Sequence, residues 1–273
     1  MITFEETPND VLSVAKVKMN LDGLLSKRDD VPHPLPGKSG FNMVINGPSG
    51  SGKTNLLCNV IHKKASQKKR QSLRKLFDHV IVVSPSLGSL TNNIFKDLAD
   101  NKRYTKFDDK MLDGLEDILE TAKEQREENN DNYYTLLILD DVGSQIKKNK
   151  RTEGRFSALL QNRRHLGGGG LSVISLTQKH RDMSLAVRNN LTHYITFLPK
   201  NEQEKEAIFK EYVSMPRKCM NEFFNYFFGK RYGFLLIDMS IPPFEYYRNY
   251  NKVKIIDKNN PTYSNEQSEK KKP

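Results

Sequence analysis

Short apolar runs recur through the middle of the chain, separated by stretches in which apolar residues return with a helical period. Phe41 to Asn46, His79 to Ser84 (closed by Pro85), Tyr134 to Leu139, Leu171 to Leu176 and Tyr194 to Leu198 are the runs. Near-continuous apolar segments of this length suit strands buried on both faces. Between them, Lys53 to about Ser66 reads as a helix. Behind Asp108, a good capping residue, Met111, Leu112, Leu115, Ile118, Leu119 and Ala122 fall at helical spacing, and the pattern dissolves in Glu127-Glu128-Asn129-Asn130-Asp131. Further helices are expected near Glu153 to Leu166 and Met183 to Asn190, with a polar loop before the first and Gly167 to Gly170 after it. Strand and helix in alternation predict an α/β fold with a mostly parallel sheet and helices on both faces.

The two ends differ from this middle. Residues 1–37, with Pro8, Pro32, Pro34 and Pro36, show no sustained period and are expected to form an arm ahead of a domain over 38–250. Residues 201–228 look helical, and residues 223–247 hold ten of the 25 aromatics. Edge strands partly buried against a neighbouring subunit would use these rings, as would an ordinary core. Residues 251–273, ending Lys270-Lys271-Lys272-Pro273, are expected to be a basic, disordered tail.

Composition narrows the class. With 273 residues, 36% hydrophobic and 28% charged, the chain suits one large packed domain. No apolar run approaches the ~20 residues of a membrane span, and the N-terminus lacks an export signal. Cys58 and Cys219 make no metal-ligand spacing. Lys and Arg number 44 against 33 Asp and Glu, a formal charge of +11 that favours a polyanionic partner. The positive charge is local: residues 62–76 carry seven Lys or Arg and no acid, and residues 147–164 carry seven against Glu153 alone. Either run could be a nucleic-acid surface or a solvated helix face.

The sharpest chemical signal is Gly47-Pro48-Ser49-Gly50-Ser51-Gly52-Lys53-Thr54, a complete G-x-x-x-x-G-K-[ST] between a strand and a helix. Glycines let successive N–H groups and a helix N-terminus face the phosphates of ATP. Lys53 is expected to reach the β and γ phosphates, and Thr54 to offer its hydroxyl to Mg²⁺. A second signal is Thr135 to Leu139 ending in Asp140-Asp141. A carboxylate at the end of a buried parallel strand lies where ligands bind, so Asp140 is the expected Mg²⁺ partner and Asp141 the residue that orients the attacking water. The strand ending in Gln178 can place an amide near the γ-phosphate. Arg163 and Arg164, after a helix, suit either a helix terminus or an arginine finger delivered to a neighbouring subunit, with Arg188 a third candidate.

Together these residues resemble the viral genome-packaging ATPases of the FtsK/HerA superfamily, typified by poxviruses and other large DNA viruses. The resemblance covers roughly residues 38–215. It rests on Gly47 to Thr54, Val82-Val83-Ser84-Pro85-Ser86, Leu137 to Asp141, Asn162-Arg163-Arg164-His165, Ser175 to Gln178 and Val187-Arg188-Asn189-Asn190. It implies a P-loop NTPase of the RecA/FtsK-like (ASCE) class, assembled as a homo-oligomeric ring, that hydrolyses ATP to move double-stranded DNA into a preformed capsid and so meets viral capsid proteins. It further implies work in the host cytoplasm or viral factory, with association with the virion. Asp141 stands where the superfamily usually has a glutamate. Two other readings stay open: a small-molecule or nucleotide kinase, which would need an arginine-rich lid and an acceptor pocket, and a nucleotide-gated assembly scaffold, whose slow hydrolysis would ignore DNA.

Overall fold

The computed structural model describes residues 2–7, 9, 34–36, 40–62, 76–86, 98–213, 215–240 and 242–257. The basic run at 63–75, the expected helix beyond His62 and the tail from residue 258 lie outside them. The strands are β1 (Ile2–Thr7), β2 (Asn42–Asn46), β3 (His79–Val83), β4 (Arg103–Tyr104), β5 (Thr135–Asp140), β6 (Leu171–Thr177), β7 (His193–Phe197), β8 (Phe234–Asp238), β9 (Glu245–Arg248) and β10 (Asn251–Asp257). They form one sheet in the order β1-β10-β9-β8-β7-β2-β6-β5-β3-β4. From β4 to β7 every pairing is parallel; from β7 to β1 every pairing is antiparallel. The apolar runs are therefore the strands, and β2 and β6 are buried along their whole length.

The two-residue period of a strand divides the interior into two layers. Val44, Leu137, Leu139, Val173 and Tyr194 point to one layer, where they meet α2 (Asp109–Asn129), α4 (Lys150–Asn162), α6 (Glu202–Tyr212) and α7 (Met220–Phe228). Met43, Ile45, Leu136, Ile138 and Ile195 point to the other, which α1 (Lys53–His62) covers with Leu56, Leu57, Val60 and Ile61. Helix α2 follows its predicted stripe: Asp108 caps it by accepting from Met111 N at 3.0 Å, and Asn130 ends it in the left-handed conformation. Both cysteines are buried free thiols, and no described helix is long and apolar enough to cross a membrane.

Four expectations are corrected or resolved. The boundaries at 37 and 251 do not mark the sheet's limits, because β1 and β10 pair from Ile2↔Asp257 to Thr7↔Lys252. Glu6 tightens that edge by accepting from Arg248 Nη1 and Tyr226 OH, each at 3.3 Å. The aromatics of 223–247, read as edge strands partly buried against a neighbour or as ordinary core, are mostly core of this chain: Phe223, Phe224 and Phe227 on α7 pack with Phe209 and Tyr246 in one cluster. The segment after Asp141 is helical, with α3 (Gly143–Lys148) separated from α4 by Asn149, whose side chain caps α4.

The fourth correction concerns Arg163. Instead of an exposed finger it is a buried clamp, 6% exposed, in the 3-10 turn after α4. Its Nε donates to Gly40 O at 2.7 Å and its Nη1 to Leu160 O at 2.8 Å, joining the end of α4 to the chain entering β2. Nη1 also donates to Asn190 Oδ1 at 3.4 Å, so Nε and Nη1 are both spent inside the fold and the side chain is buried away from any neighbour. Another member of the same basic run, Arg155, is held by Asp109, Asp113 and Glu116 of α2. Arg163→Ala leaves those carbonyls without their donor and is expected to lower stability by about 1–3 kcal/mol in urea denaturation, while hydrolysis per folded molecule stays near the parent value. Lost hydrolysis at unchanged stability would restore the finger reading.

Candidate functional site

Parallel strands end together, and here their C-terminal ends gather the residues of interest. Register pairs Asn46 with Thr177 and Thr196, Asp140 with Leu176, and Val83 with Leu139. The next residues along, Gly47, Gln178, Asp141 and Ser84, therefore emerge on one edge. They border a cavity of about 800 Å³ lined by Ser49, Gly50, Gly52, Lys53, Thr54, Asn55, Leu56, Ser86, Asp140, Asp141, Gln178, Phe197, Tyr232 and Phe234. The volume lies within the ordinary range for small-ligand sites.

The loop from Gly47 to Gly52 wraps the start of α1. Gly50 and Gly52 take φ of 77° and 105°, the left-handed region that favours glycine, and a side chain at Gly50 would meet nothing within 4 Å. Leu56 N donates to Gly52 O at 2.8 Å, so the loop runs into the helix without a break. Ser51 Oγ is buried with no hydrogen-bond partner among the described residues. Lys53 Nζ donates back to Gly47 O at 2.6 Å and Pro48 O at 3.1 Å. Burial lowers the Lys53 pKa, against the opposing pull of Asp141 and Asp140. An ammonium in this cradle, above a helix N-terminus, fits a polyphosphate, which would supply the negative charge the loop carbonyls only approximate.

The acids line the same cavity. Asp140 Oδ2 accepts from Ser84 Oγ at 2.8 Å, and Ser84 Oγ lies 3.1 Å from Ser86 Oγ. Burial raises the Asp140 pKa, opposed by the Ser84 hydrogen bond. Asp141 has φ 56°, and its Oδ2 accepts from Gln178 Nε2 at 2.6 Å. Asp and Asn are several-fold enriched among residues that adopt this backbone, because a short polar side chain tolerates it. Lys53, Thr54, Asp140, Asp141 and Gln178 are thus brought together as the sequence predicts. Arg163 and Arg164 are not: they precede β6, at the opposite edge of the sheet, roughly 20 Å away along the strands. Arg164 is exposed there, and Arg188 Nη1 is engaged by Glu211 at 2.6 Å.

Ser84 and Ser86 had no role assigned from the sequence. Their signal was the hydroxyl at the end of a buried strand one place from the acid-bearing one, legible only once β3 and β5 are known to be neighbours. No cluster of three metal-ligating side chains exists among the described residues. Thr54 and Asp140 are two oxygen donors, enough for a cation that takes its other ligands from phosphate and water.

Asp140 is expected to cost the fold stability. Its native pKa is raised, so the native state binds more protons than the unfolded one between about 4 and that raised value, and stability falls as pH rises through this window. Asp140→Asn should accordingly melt above the parent at pH 7, with the difference shrinking as the pH approaches about 4. Thermal melts across that range measure it; a variant that melts lower at pH 7 would contradict the buried-charge account.

Residues 37–241 match the family model described as Poxvirus A32 protein. No curated protein matches the chain significantly. Among solved structures, the genome packaging NTPase B204 from Sulfolobus turreted icosahedral virus 2 in complex with sulfate is 21% identical with a TM-score of 0.51, covering 78% of this chain and 98% of that one. Its complex with ATP-gammaS gives 20%, 0.51, 77% and 97%. B204, the DNA-packaging ATPase from Sulfolobus turreted icosahedral virus, gives 18%, 0.51, 77% and 98%. At these identities the likeness is one of fold. With every residue of that strand-end cluster inside the matched span, the chain belongs to the poxvirus A32 protein family.

Proposed function

We propose that this protein is an ATP-hydrolysing motor that moves double-stranded viral DNA into preformed capsids. The observation that carries the reading is the Asp141–Gln178 pair, a carboxylate held by an amide at 2.6 Å in the cavity that Lys53 also lines. This arrangement serves water as the acceptor of a phosphoryl group, where a kinase would need a site for a second substrate. Membership of the A32 family and the fold shared with a protein named a genome packaging NTPase support the same reading.

In this mechanism the loop Gly47 to Thr54 wraps the triphosphate of ATP, and the Lys53 ammonium exchanges the Gly47 and Pro48 carbonyls for β and γ phosphate oxygens. Thr54 and Asp140 would hold Mg²⁺, which neutralises phosphate charge as the γ-phosphoryl group departs. Ser84 keeps Asp140 aimed into the cavity. Gln178 fixes Asp141 through Oδ2, leaving Oδ1 to take a proton from water as its oxygen attacks the γ-phosphorus in line. The bond to ADP breaks, and phosphate leaves.

Transmission begins next door. Helix α3 starts two residues after Asp141 and exposes Lys147 and Lys148, with Lys150 and Arg151 following across Asn149. Lys147 Nζ also donates to Arg181 O, which ties this helix to the segment after Gln178. Both elements that border the reacting water are therefore joined to one basic surface suited to DNA phosphates. A homo-oligomeric ring would place the exposed Arg164 of one subunit against the nucleotide of another. Docking on capsid proteins, in the infected cell's cytoplasm or viral factory, completes the proposal.

Steady-state ATP hydrolysis with and without long double-stranded DNA tests it. Stimulation by DNA is expected, with Lys53→Ala and Asp141→Asn each lowering turnover by at least about a hundredfold; turnover indifferent to DNA would favour the scaffold or kinase. Neutralising Lys147, Lys148 and Lys150 together should weaken DNA binding alike for all sequences and flatten its salt dependence, by up to about 0.9 in slope for each phosphate no longer neutralised. An unchanged slope would remove α3 from the DNA surface.

A further inference from the structure

The cavity has two chemically distinct sides, set by strand order. Acids, Gln178 and Ser86 come from β5, β6 and β3, on one flank of β2; Phe197 and Phe234 come from β7 and β8, on the other. Because β8 runs antiparallel to β7, with Phe197 opposite Phe234, the start of β8 reaches the same edge as the end of β7. Just before it, Tyr232 sits in the turn closed by Gly233 N donating to Lys230 O at 3.0 Å.

Tyr232 is a residue that folding alone does not explain. It is 59% exposed, so its ring gains little from burial, and its φ of 61° is uncommon for a bulky side chain. Yet it lines the cavity and approaches the phosphate loop: a side chain built on Gly52 would meet Tyr232 Cδ1 at 3.8 Å and Phe197 Cε1 at 3.7 Å. Arg231 lies over one face of the ring, 4.9 Å from its centroid. The ring's exposure leaves surface open to a planar partner.

We infer that Tyr232, backed by Phe197, is the platform on which the nucleobase of the bound nucleotide stacks. A triphosphate held over β2 at Lys53 has its terminal phosphate toward Asp141 and Gln178, which directs its sugar and base to the aromatic flank. Stacking on a tyrosine face holds any base, and purines most because they offer more surface. The inference rests on the nucleotide-binding reading above and adds the residue that distinguishes a nucleotide from a bare polyphosphate.

Calorimetric binding of Mg²⁺–ATP and of inorganic tripolyphosphate to the full chain tests it, in the parent, Tyr232→Phe and Tyr232→Asn. Asparagine keeps a residue that tolerates the left-handed backbone while removing the ring. The expected result is a roughly tenfold weaker ATP affinity for Tyr232→Asn, unchanged tripolyphosphate affinity, and parent-like behaviour of Tyr232→Phe. ATP binding unaffected by Tyr232→Asn overturns the platform, as does an equal loss for both ligands, which would make the ring a prop for the loop. A parent that binds tripolyphosphate as tightly as ATP likewise overturns it while leaving the phosphate site intact. A parent that binds neither overturns the nucleotide reading as well.

Discussion

Asn46 holds together the edge on which everything else is arranged. At 2% exposure it donates to Thr196 Oγ1 at 3.4 Å and accepts from Thr177 Oγ1 at 3.1 Å, while the following Gly47 N donates to Thr177 O at 3.1 Å. Three adjacent strand ends, β7, β2 and β6, are thereby fixed relative to one another by buried polar groups that find partners. An apolar side chain would fill the space equally well but would not specify which residue faces which; a satisfied buried network does. Phe197, the phosphate loop and Gln178 each begin one step beyond this clasp, so their spacing across the cavity follows from it.

Against that rigidity the charges of the site are poorly accommodated by the free protein. Burial disfavours the ionised form of Lys53 and of Asp140 alike, and each is only partly compensated, the first by Asp141 and Asp140 and the second chiefly by Ser84. Groups in such surroundings are poised to gain from a ligand that brings opposite charge, because the desolvation has already been met by the fold. Binding energy then goes into the phosphate contacts and not into rearranging the edge. The Arg163 clamp on Gly40 performs a related service at the far end of β2, anchoring the strand where it enters the sheet.

The middle of the fold was legible because its strands are buried on both faces, and such strands advertise themselves as uninterrupted apolar runs. The phosphate loop, Asp140, Asp141 and Gln178 were legible for a related reason: each is attached to one of those runs, so finding the strand located the residue. What stayed hidden depends on neighbours distant in sequence. Ser84 acquires meaning only through Asp140, 56 residues on. The edge strand β1 finds its place only by pairing with β10 from the other end of the chain, a partner that no local pattern announces. Helix α3 is six residues long and opens on a glycine, too short to show a stripe beyond Ile146. Arg163 is ambiguous in sequence because a cation after a helix looks alike whether its donors meet solvent, a neighbour or the carbonyls of Gly40 and Leu160.

The left-handed backbone at Asp141 bears on how this site can change over generations. Aspartate and glutamate differ by one methylene and are treated as near equivalents wherever only charge matters. At φ 56° they are not equivalent, because the shorter acid is among the few side chains that sit comfortably in that conformation. A longer acid would carry more of the roughly 1–2 kcal/mol cost of this left-handed turn into α3, which aspartate's short polar side chain eases. The identity of the acid and the shape of the turn are in this sense coupled, since a change in one alters what the other costs.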